Sequence, residues 1–340
     1  MNHPIVSVVT LTYNHALFLR QCLDGILMQK TSFPFELLIH DDASTDETAN
    51  IIREYESRFP DIIKPIYETE NLVSLKKRGV IKEIGLLMNI LIPRAQGKYI
   101  AWCEGDDYWT NPLKLQKQVD FLDTHPDYTI CGGMYWMLNQ MNNEGNTELT
   151  EREWFVREMA KYPKGKTINL DNFMLPYAFQ FLTVCFRKDA INKLFQIRPY
   201  KDDTIFAVLL EQGKGYIFHD YLGVYRQHKE GMWSKKTLEE QMRSTEKFLQ
   251  PMLAHFGNKS KSIRHRYFLT CIHLRFIELK SSKHPVIDFL KILRFTFSGK
   301  IKDIFTFQIY HLRLFSWKYL SRGKVKVIMK SKKRLFFKRK

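Results

Sequence analysis

The sequence has 340 residues and a formal net charge of +17, from 53 Lys and Arg against 36 Asp and Glu. The excess lies at one end, because residues 281–340 carry 17 Lys and Arg against two Asp, while residues 1–280 are nearly neutral. A protein that binds nucleic acid over its whole surface carries basic residues throughout, so the distribution argues against that class. The 44% hydrophobic and 26% charged residues are typical of globular chains and not of disordered ones.

The cysteines and the N-terminus predict a cytoplasmic protein. The five cysteines are scattered and form no CxxC pair, so neither a disulfide framework nor a zinc ribbon is indicated. The first residues lack the basic and then apolar order of a signal peptide. No stretch reaches the roughly 18 uncharged apolar residues needed to span a bilayer.

Strands and helices are predicted to alternate as far as residue 125. The predicted strands cover 5–11, 36–40, 62–67 and 98–103, and the predicted helices cover 15–29, a segment opening at 44–47, 80–95 and 113–122. Ser44 and Glu47 have the spacing of a capping box, and 68–78 is predicted as a loop. This alternation is typical of βαβ units and predicts an α/β fold with a mostly parallel sheet flanked by helices.

After residue 125 the predicted strands and helices no longer alternate regularly. Strands are predicted at 129–138, 181–186, 215–219 and 222–225, and helices at 188–195 and 202–212. After about residue 234 the composition becomes helical, aromatic and basic. We therefore expect an α/β domain over 1–235 and a basic, aromatic-rich helical region over 236–340.

Acidic residues follow two predicted strands at the point where each ends. Asp41 and Asp42 follow the second strand, and Glu104, Asp106 and Asp107 follow the fourth. Ligands of open α/β sheets bind outside the carboxyl ends of the strands, and clustered carboxylates oppose one another unless a cation joins them. The sequence thus predicts a Mg²⁺ or Mn²⁺ site that holds a diphosphate, and it lacks the glycine-rich loops of dinucleotide folds and P-loops.

Three ordered blocks carry a family resemblance. They are VSVVTLTYN at 6–14, IHDDASTD at 39–46 and AQGKYIAWCEGDDYW at 95–109. Together they resemble the family 2 glycosyltransferases of the GT-A fold, apart from Leu11, where the family usually has Pro, and Glu104, which stands for the first Asp of the last block. The resemblance implies a GT-A nucleotide-diphospho-sugar transferase of the bacterial envelope or capsule type, which is inverting and metal-dependent.

The resemblance also implies the roles of individual residues. Thr12, Tyr13 and Asp42 would surround the nucleotide base, Asp106 would approach the ribose, and Asp107 would bind the divalent metal. These residues belong to the three blocks quoted above.

Relatives of this type use an Asp or Glu as the general base that deprotonates the acceptor hydroxyl. The best match is Asp202 or Asp203, which open an amphipathic helix ending near Gly213. The spacing to Gly213 favours Asp202, and Asp203 stays open as the alternative. A base at a helix N-terminus needs burial to bring its pKa close to the working pH.

The stretch YRQHKEGMWS at 225–234 resembles a further block of these relatives, in which the histidine lies near the diphosphate or the metal. His228 is therefore predicted as a metal ligand, since a neutral imidazole suits Mn²⁺. Arg226 is predicted either to pair with a phosphate or to support the domain.

The basic, aromatic-rich end is open to several interpretations. It is typical of an interfacial membrane anchor, which predicts a peripheral enzyme at the inner face of the cell membrane. A helical subdomain with a solvated basic face, non-specific RNA binding and self-association are the alternatives.

The expected partners are a nucleotide-sugar donor and a saccharide or lipid-linked acceptor, without nucleic acid. The alternative functions are a nucleotidyltransferase of related sheet architecture and a catalytically inactive membrane- or carbohydrate-binding scaffold. Neither the oligomeric state nor the identity of sugar and acceptor follows from the sequence.

Overall fold

A computed structural model describes residues 3–81, 86–174, 178–191 and 201–279. In chain order its elements are β1 (Val6–Thr12), α1 (Ala16–Leu27), β2 (Phe35–Asp41), α2 (Thr48–Arg58), β3 (Ile63–Tyr67), α3 (Leu72–Lys77), a π-helical segment (Leu86–Leu91), α4 (Ile92–Arg94), β4 (Tyr99–Trp102), β5 (Tyr108–Trp109), α5 (Lys114–Thr124), β6 (Tyr128–Asn139), β7 (Leu149–Thr150), α6 (Glu153–Met159), β8 (Lys166–Ile168), a 3₁₀ turn (Phe181–Thr183), β9 (Cys185–Arg187), α7 (Asp202–Gln212), β10 (Lys214–Gln227), α8 (Leu238–Phe256) and α9 (Lys261–Leu279).

The strands of the described residues form one mixed sheet in the order β3-β2-β1-β4-β9-β6-β10-β5, with β7 beside β6 and β8 beside β10. The first four strands in this order are parallel to one another. Strand β9 is antiparallel to both β4 and β6, and β6 is parallel to β10. Two successive antiparallel pairings restore the original direction, so β6 and β10 end at the same edge of the sheet as β1, β2 and β4.

The core explains why these segments fold as they do. Every residue of β1 except Leu11 is buried, as expected for a parallel strand covered on both faces. Helix α1 buries Leu19, Cys22, Leu23 and Ile26, and this spacing forms one apolar stripe toward the sheet. The predicted alternation of strands and helices is thereby confirmed for the first half of the chain.

The predicted capping box at Ser44 and Glu47 is wrong. Helix α2 begins later, and Glu47 makes no side-chain cap hydrogen bond. The Ser44 hydroxyl instead donates to Asp41 and accepts from Asn14 N. The first-turn donor Thr48 N is satisfied by Asp46 Oδ1 at 3.0 Å, so the Asp46 side chain, two residues earlier, caps this turn instead of Ser44.

Several predicted element bounds also differ. The predicted loop 68–78 contains α3, whose first turn is capped by the Asn71 side chain. The predicted strand 181–186 divides into a 3₁₀ turn and β9, and the two strands predicted at 215–225 are one long strand, β10, whose pairing with β6 contains bulges. Bulges interrupt the alternation of side chains, which is why one strand looks like two in the sequence.

The chain divides into two units, 1–271 and 272–340, and of the second the structure describes only 272–279, the end of α9. The predicted region boundary after residue 235 stays a prediction, and the basic end predicted as a membrane anchor lies outside the described residues. No helix in the described ranges is long and apolar enough to cross a membrane.

Candidate active site

The loop that joins β4 to β5 lies against the end of β1. Gly105 N donates to Leu11 O at 3.1 Å. A Cβ at Gly105 would lie 2.7 Å from both Thr12 Cγ2 and His15 Nδ1. Such approaches are shorter than van der Waals contact, so only glycine lets the loop lie this close to β1. The acidic block of the sequence is thereby fixed at the edge where β1, β2 and β10 end.

Asp106 and His228 form a pair at this edge. The distance from Asp106 Oδ2 to His228 Nε2 is 3.0 Å, and their side chains are 22% and 5% exposed. Burial alone favours the neutral form of Asp106, but the hydrogen bond from His228 and the nearby imidazoles outweigh it and lower the pKa of Asp106. The carboxylate is therefore ionised and still within reach of a ligand.

The Asp107 side chain, unlike that of Asp106, is turned toward the protein interior. It is 4% exposed, and its Oδ1 accepts a hydrogen bond of 2.8 Å from Arg226 N. Burial, followed by the charge of Asp106, raises the pKa of Asp107 well above its usual range. This carboxyl group ties the acidic loop to β10.

The Arg226 side chain is enclosed by protein groups. Its guanidinium carbon lies 4.5 Å from the ring centre of Phe18 and 5.4 Å from that of Tyr108, and its Nη2 donates to Gln21 Oε1 at 2.6 Å. Only 5% of the residue is exposed. Of the two predicted roles, these contacts fit support of the domain.

The Asp42 carboxylate accepts hydrogen bonds from the start of α3. Its Oδ1 accepts from Leu72 N at 2.7 Å and its Oδ2 accepts from Asn71 Nδ2 at 2.8 Å. Burial raises the pKa of Asp42 even though the bond from Leu72 N opposes the shift. The residue therefore holds the segment after β3, and its contact with a nucleotide base stays a prediction.

Thr12 and Tyr13 differ in what they can offer a ligand. The Thr12 hydroxyl donates to His40 O at 3.0 Å, and the residue is buried. Tyr13 is 44% exposed, so its ring is available for stacking.

Asp202 and Asp203 lie in the first turn of α7, as the sequence predicts. Burial, and then the charge of Asp203, raise the pKa of Asp202 to about 7. Asp202 nonetheless remains accessible to solvent, so this desolvation is partial and leaves room for a substrate hydroxyl. Asp202 also contributes, after burial and Asp106, to raising the pKa of Glu104, so the two carboxyl groups interact electrostatically.

His15, which was not among the predicted site residues, lies beside the Asp106–His228 pair. Its ring centre lies 6.4 Å from that of His228, and burial lowers its pKa, against the opposing charge of Asp106. Its Nδ1 is buried without a hydrogen-bond partner among the described residues. The only sequence signal was its position directly after the first block, next to Asn14.

The Asp106–His228 pair fits part of a divalent metal site. In the ranges that the structure describes, no group of three or more His, Cys, Asp and Glu side chains is arranged to hold a metal. Mg²⁺ in octahedral geometry takes ligands at about 2.1 Å, so adjacent ligands are about 3 Å apart. The 3.0 Å between the two side-chain atoms matches this spacing, and such ions usually take their other ligands from phosphates and water.

The model of the family described as glycosyl transferase family 2 matches residues 7–194, which is more than half of the chain. The chain belongs to glycosyltransferase family 2. The matched segment covers the three blocks on which the resemblance rests, apart from Val6 at the start of the first, and it ends before α7 and His228.

Curated relatives of this family 2 glycosyltransferase match it over a shorter stretch. The uncharacterized protein Mb1547 of Mycobacterium bovis is 45% identical over 128 residues, which is 37% of this chain and 34% of that protein. The putative teichuronic acid biosynthesis glycosyltransferase TuaG of Bacillus subtilis is 35% identical over 120 residues, 35% of this chain and 42% of that protein. The chain thus spans about a third to two fifths of the length of these relatives.

Solved structures confirm the predicted GT-A fold. TarS of S. aureus, crystallised with UDP-GlcNAc, is 16% identical with a TM-score of 0.53, over 79% of this chain and 80% of that one. The mannosyltransferase PcManGT of Pyrobaculum calidifontis, in complex with GDP-Man and Mn²⁺, is also 16% identical with a TM-score of 0.53, over 88% and 81%. At this identity the likeness concerns the fold alone.

The family 2 fold brings most of the predicted site residues to one edge. Hydrogen bonds join Asp107 to Arg226 N and Asp106 to His228. Thr12 touches the same loop through Gly105. Asp42 is instead engaged by the start of α3, at a separate point of the edge.

Proposed function

We propose that this glycosyltransferase moves a sugar from a nucleoside-diphosphate donor to a hydroxyl group of a saccharide or lipid-linked saccharide, with inversion and with Mn²⁺ or Mg²⁺. The observation that carries the proposal is the Asp106–His228 pair at 3.0 Å, on an acidic loop whose Glu104 interacts electrostatically with Asp202. The donors bound to TarS and PcManGT, and the Mn²⁺ in the latter, support it.

In this proposal Asp106 and His228 hold the metal. This assignment exchanges Asp107 for Asp106, because Oδ2 of the partly exposed Asp106 lies 3.0 Å from His228 Nε2 while Asp107 accepts from Arg226 N. When bound there, the ion would supply positive charge that stabilises the leaving diphosphate. His15 adds an imidazole beside the same pair, and Tyr13 offers its exposed ring to the base.

Asp202 is the general base of the proposed reaction. Its carboxylate takes the proton of the acceptor hydroxyl as that oxygen bonds to the anomeric carbon of the donor sugar. The bond from this carbon to the diphosphate oxygen breaks, and the nucleoside diphosphate leaves with the electron pair. A pKa of about 7 lets Asp202 accept the proton near neutral pH.

Two other functions are less well supported. A nucleotidyltransferase usually shows a glycine-rich, basic loop after the first strand, and the TYNH segment at 12–15 has none of these features. A scaffold without activity does not need an accessible carboxylate whose pKa is raised to about 7.

Two further observations support the proposed acceptor class and cellular location. The name of TuaG, a relative in teichuronic acid biosynthesis, supports an acceptor in an envelope polysaccharide. The +15 balance of residues 281–340 supports attachment to the anionic inner face of the cell membrane.

A donor panel tests the proposal. The protein is incubated with UDP-, GDP- and dTDP-linked sugars, each with Mn²⁺ or with a chelator, and binding and slow hydrolysis are followed. We expect one nucleotide class to bind only with the metal, and NMR of the transfer product to show an inverted anomeric configuration. Metal-independent binding of all donors, or retention, would overturn the proposal.

A further inference from the structure

Two lysine side chains converge beside the first turn of α7. Lys201 Nζ lies 3.0 Å from Ser244 Oγ, and Lys236 Nζ lies 3.4 Å from the same oxygen. A serine hydroxyl has two acceptor lone pairs, so the two ammonium groups share one small acceptor. The separation of the two Nζ atoms therefore cannot exceed the sum of these two distances. In the chain, Lys201 directly precedes Asp202.

Both ammonium groups also face the ring of Trp233. The distances to its ring centre are 5.6 Å from Lys201 Nζ and 5.3 Å from Lys236 Nζ, and Lys201 Nζ lies 4.7 Å from the ring centre of Phe248. Aromatic faces attract cations but do not neutralise their charge. Lys201 and Lys236 are themselves partly exposed, and Trp233 is 41% exposed, so a ligand can reach the pair from solvent.

The positive charge of the pair is not balanced by a direct ion pair. Within the described ranges neither lysine has a carboxylate at salt-bridge distance, although Asp202 and Asp203 interact with Lys201, and Glu240 interacts with Lys236, from farther away. Burial, and then the charge of Lys236, lower the pKa of Lys201. Two repelling ammonium groups that are held together by a hydroxyl and a ring form a site that a negative ligand would stabilise.

We propose that the Lys201–Lys236 pair binds an oxyanion carried by the acceptor, a carboxylate or a phosphate, and so holds the acceptor hydroxyl beside Asp202. The inference rests on the proposed function and names the class of its acceptor, an anionic saccharide. Ammonium groups form short, charge-assisted hydrogen bonds with carboxylate and phosphate oxygens. A neutral saccharide would leave the repulsion between the two lysines in place.

Ligand-observed NMR tests the proposal on the full chain, with Mg²⁺ and a nucleoside diphosphate saturating the donor site. The probes are methyl β-glucuronide, inorganic phosphate and, as the neutral counterpart, methyl β-glucoside. We expect at least one of the two oxyanions to bind at least tenfold more tightly than the glucoside. Binding of the glucuronide alone identifies a carboxylate, and binding of phosphate alone identifies a phosphate group.

Variants show whether the two lysines form the site. Lys201→Gln combined with Lys236→Gln should weaken oxyanion binding at least tenfold, and replacement of both by Arg should retain it. The control Lys235→Gln removes an exposed lysine paired with Glu230 and should keep the wild-type affinity. Nucleotide binding and thermal melting show whether each variant is folded. If the double variant is unstable, the same oxyanion titration is made with the single variant Lys236→Gln.

Equal affinity for the glucuronide and the glucoside together with no phosphate binding, or oxyanion binding unchanged in the double variant, would overturn the inference. Failure of the proposed function gives a different result, because the nucleoside diphosphate would then not bind with Mg²⁺.

Discussion

Asp106 Oδ2 and His228 Nε2 lie 3.0 Å apart, although 122 residues separate them in the chain. The contact exists because β9 is antiparallel to both β4 and β6, so that β10 ends at the same edge as β4. Asp107 strengthens the junction by accepting from Arg226 N. The loop after β4 and the end of β10 thereby form one site.

Replacement of Asp107 distinguishes a supporting role from metal ligation. Asp107→Ala leaves the buried Arg226 N–H without its acceptor, which should lower the free energy of unfolding by about 1–3 kcal/mol. Asp107→Asn keeps an acceptor oxygen, so it should retain most of the stability and bind donor with Mn²⁺ within a few-fold of the wild type. Chemical denaturation and donor titration measure both. A stable Asp107→Asn protein without metal-dependent donor binding would identify Asp107 as the ligand.

The pH dependence of transfer should report Asp202. Its pKa of about 7 means that the base is protonated below neutral pH, so kcat/KM for the acceptor should fall as the pH is lowered through about 7. The charged groups that act on it are Asp203 and Lys201, and it interacts in turn with Glu104. Asp202→Asn should lower the rate by about 10²–10⁴-fold and remove this acid limb. If kcat/KM of the variant still fell in the same way as the pH was lowered through about 7, Asp202 would be excluded as the base.

Arg226→Met tests whether this guanidinium supports the fold or binds the diphosphate. Loss of the contacts with Phe18, Tyr108 and Gln21 should cost about 1–3 kcal/mol of stability, with the donor KM changed less than threefold. The exposed Lys229→Met is the control and should change neither quantity. A tenfold higher donor KM at unchanged stability would argue for phosphate binding instead.

Gly105→Ala should displace the acidic loop. The added Cβ would meet Thr12 and His15 at 2.7 Å, so we expect donor affinity with Mn²⁺ to fall at least tenfold. Gly145→Ala is the control, because its Cβ meets only Asn143 Oδ1, at an ordinary 3.5 Å. Titration of both variants with the same donor makes the comparison. Wild-type affinity in Gly105→Ala would show that the loop tolerates the shift.

The sequence predicted those features that depend on periodicity and strand ends. The first residue of α7 is Asp202, as expected, and the acidic block follows β4. The resemblance assigned the metal to Asp107, whereas in the structure it is Asp106 that lies against His228. The sequence alone could not show this arrangement, because the partner of Asp107, Arg226 N, is 119 residues away in the chain. The hydrogen bonds of Asp42 to the start of α3 were missed for a similar reason, since 68–78 has no helical periodicity of its own.

Separate measurement of donor binding and sugar transfer tests the division of roles between Asp106 and Asp202 most directly. Donor binding is titrated with and without Mn²⁺ in Asp106→Asn and Asp202→Asn, and transfer is measured in the same samples. We predict that Asp106→Asn loses metal-dependent binding, whereas Asp202→Asn binds donor like the wild type but transfers about 10²–10⁴-fold more slowly. Full metal-dependent binding by Asp106→Asn, or normal transfer by Asp202→Asn, would contradict this assignment.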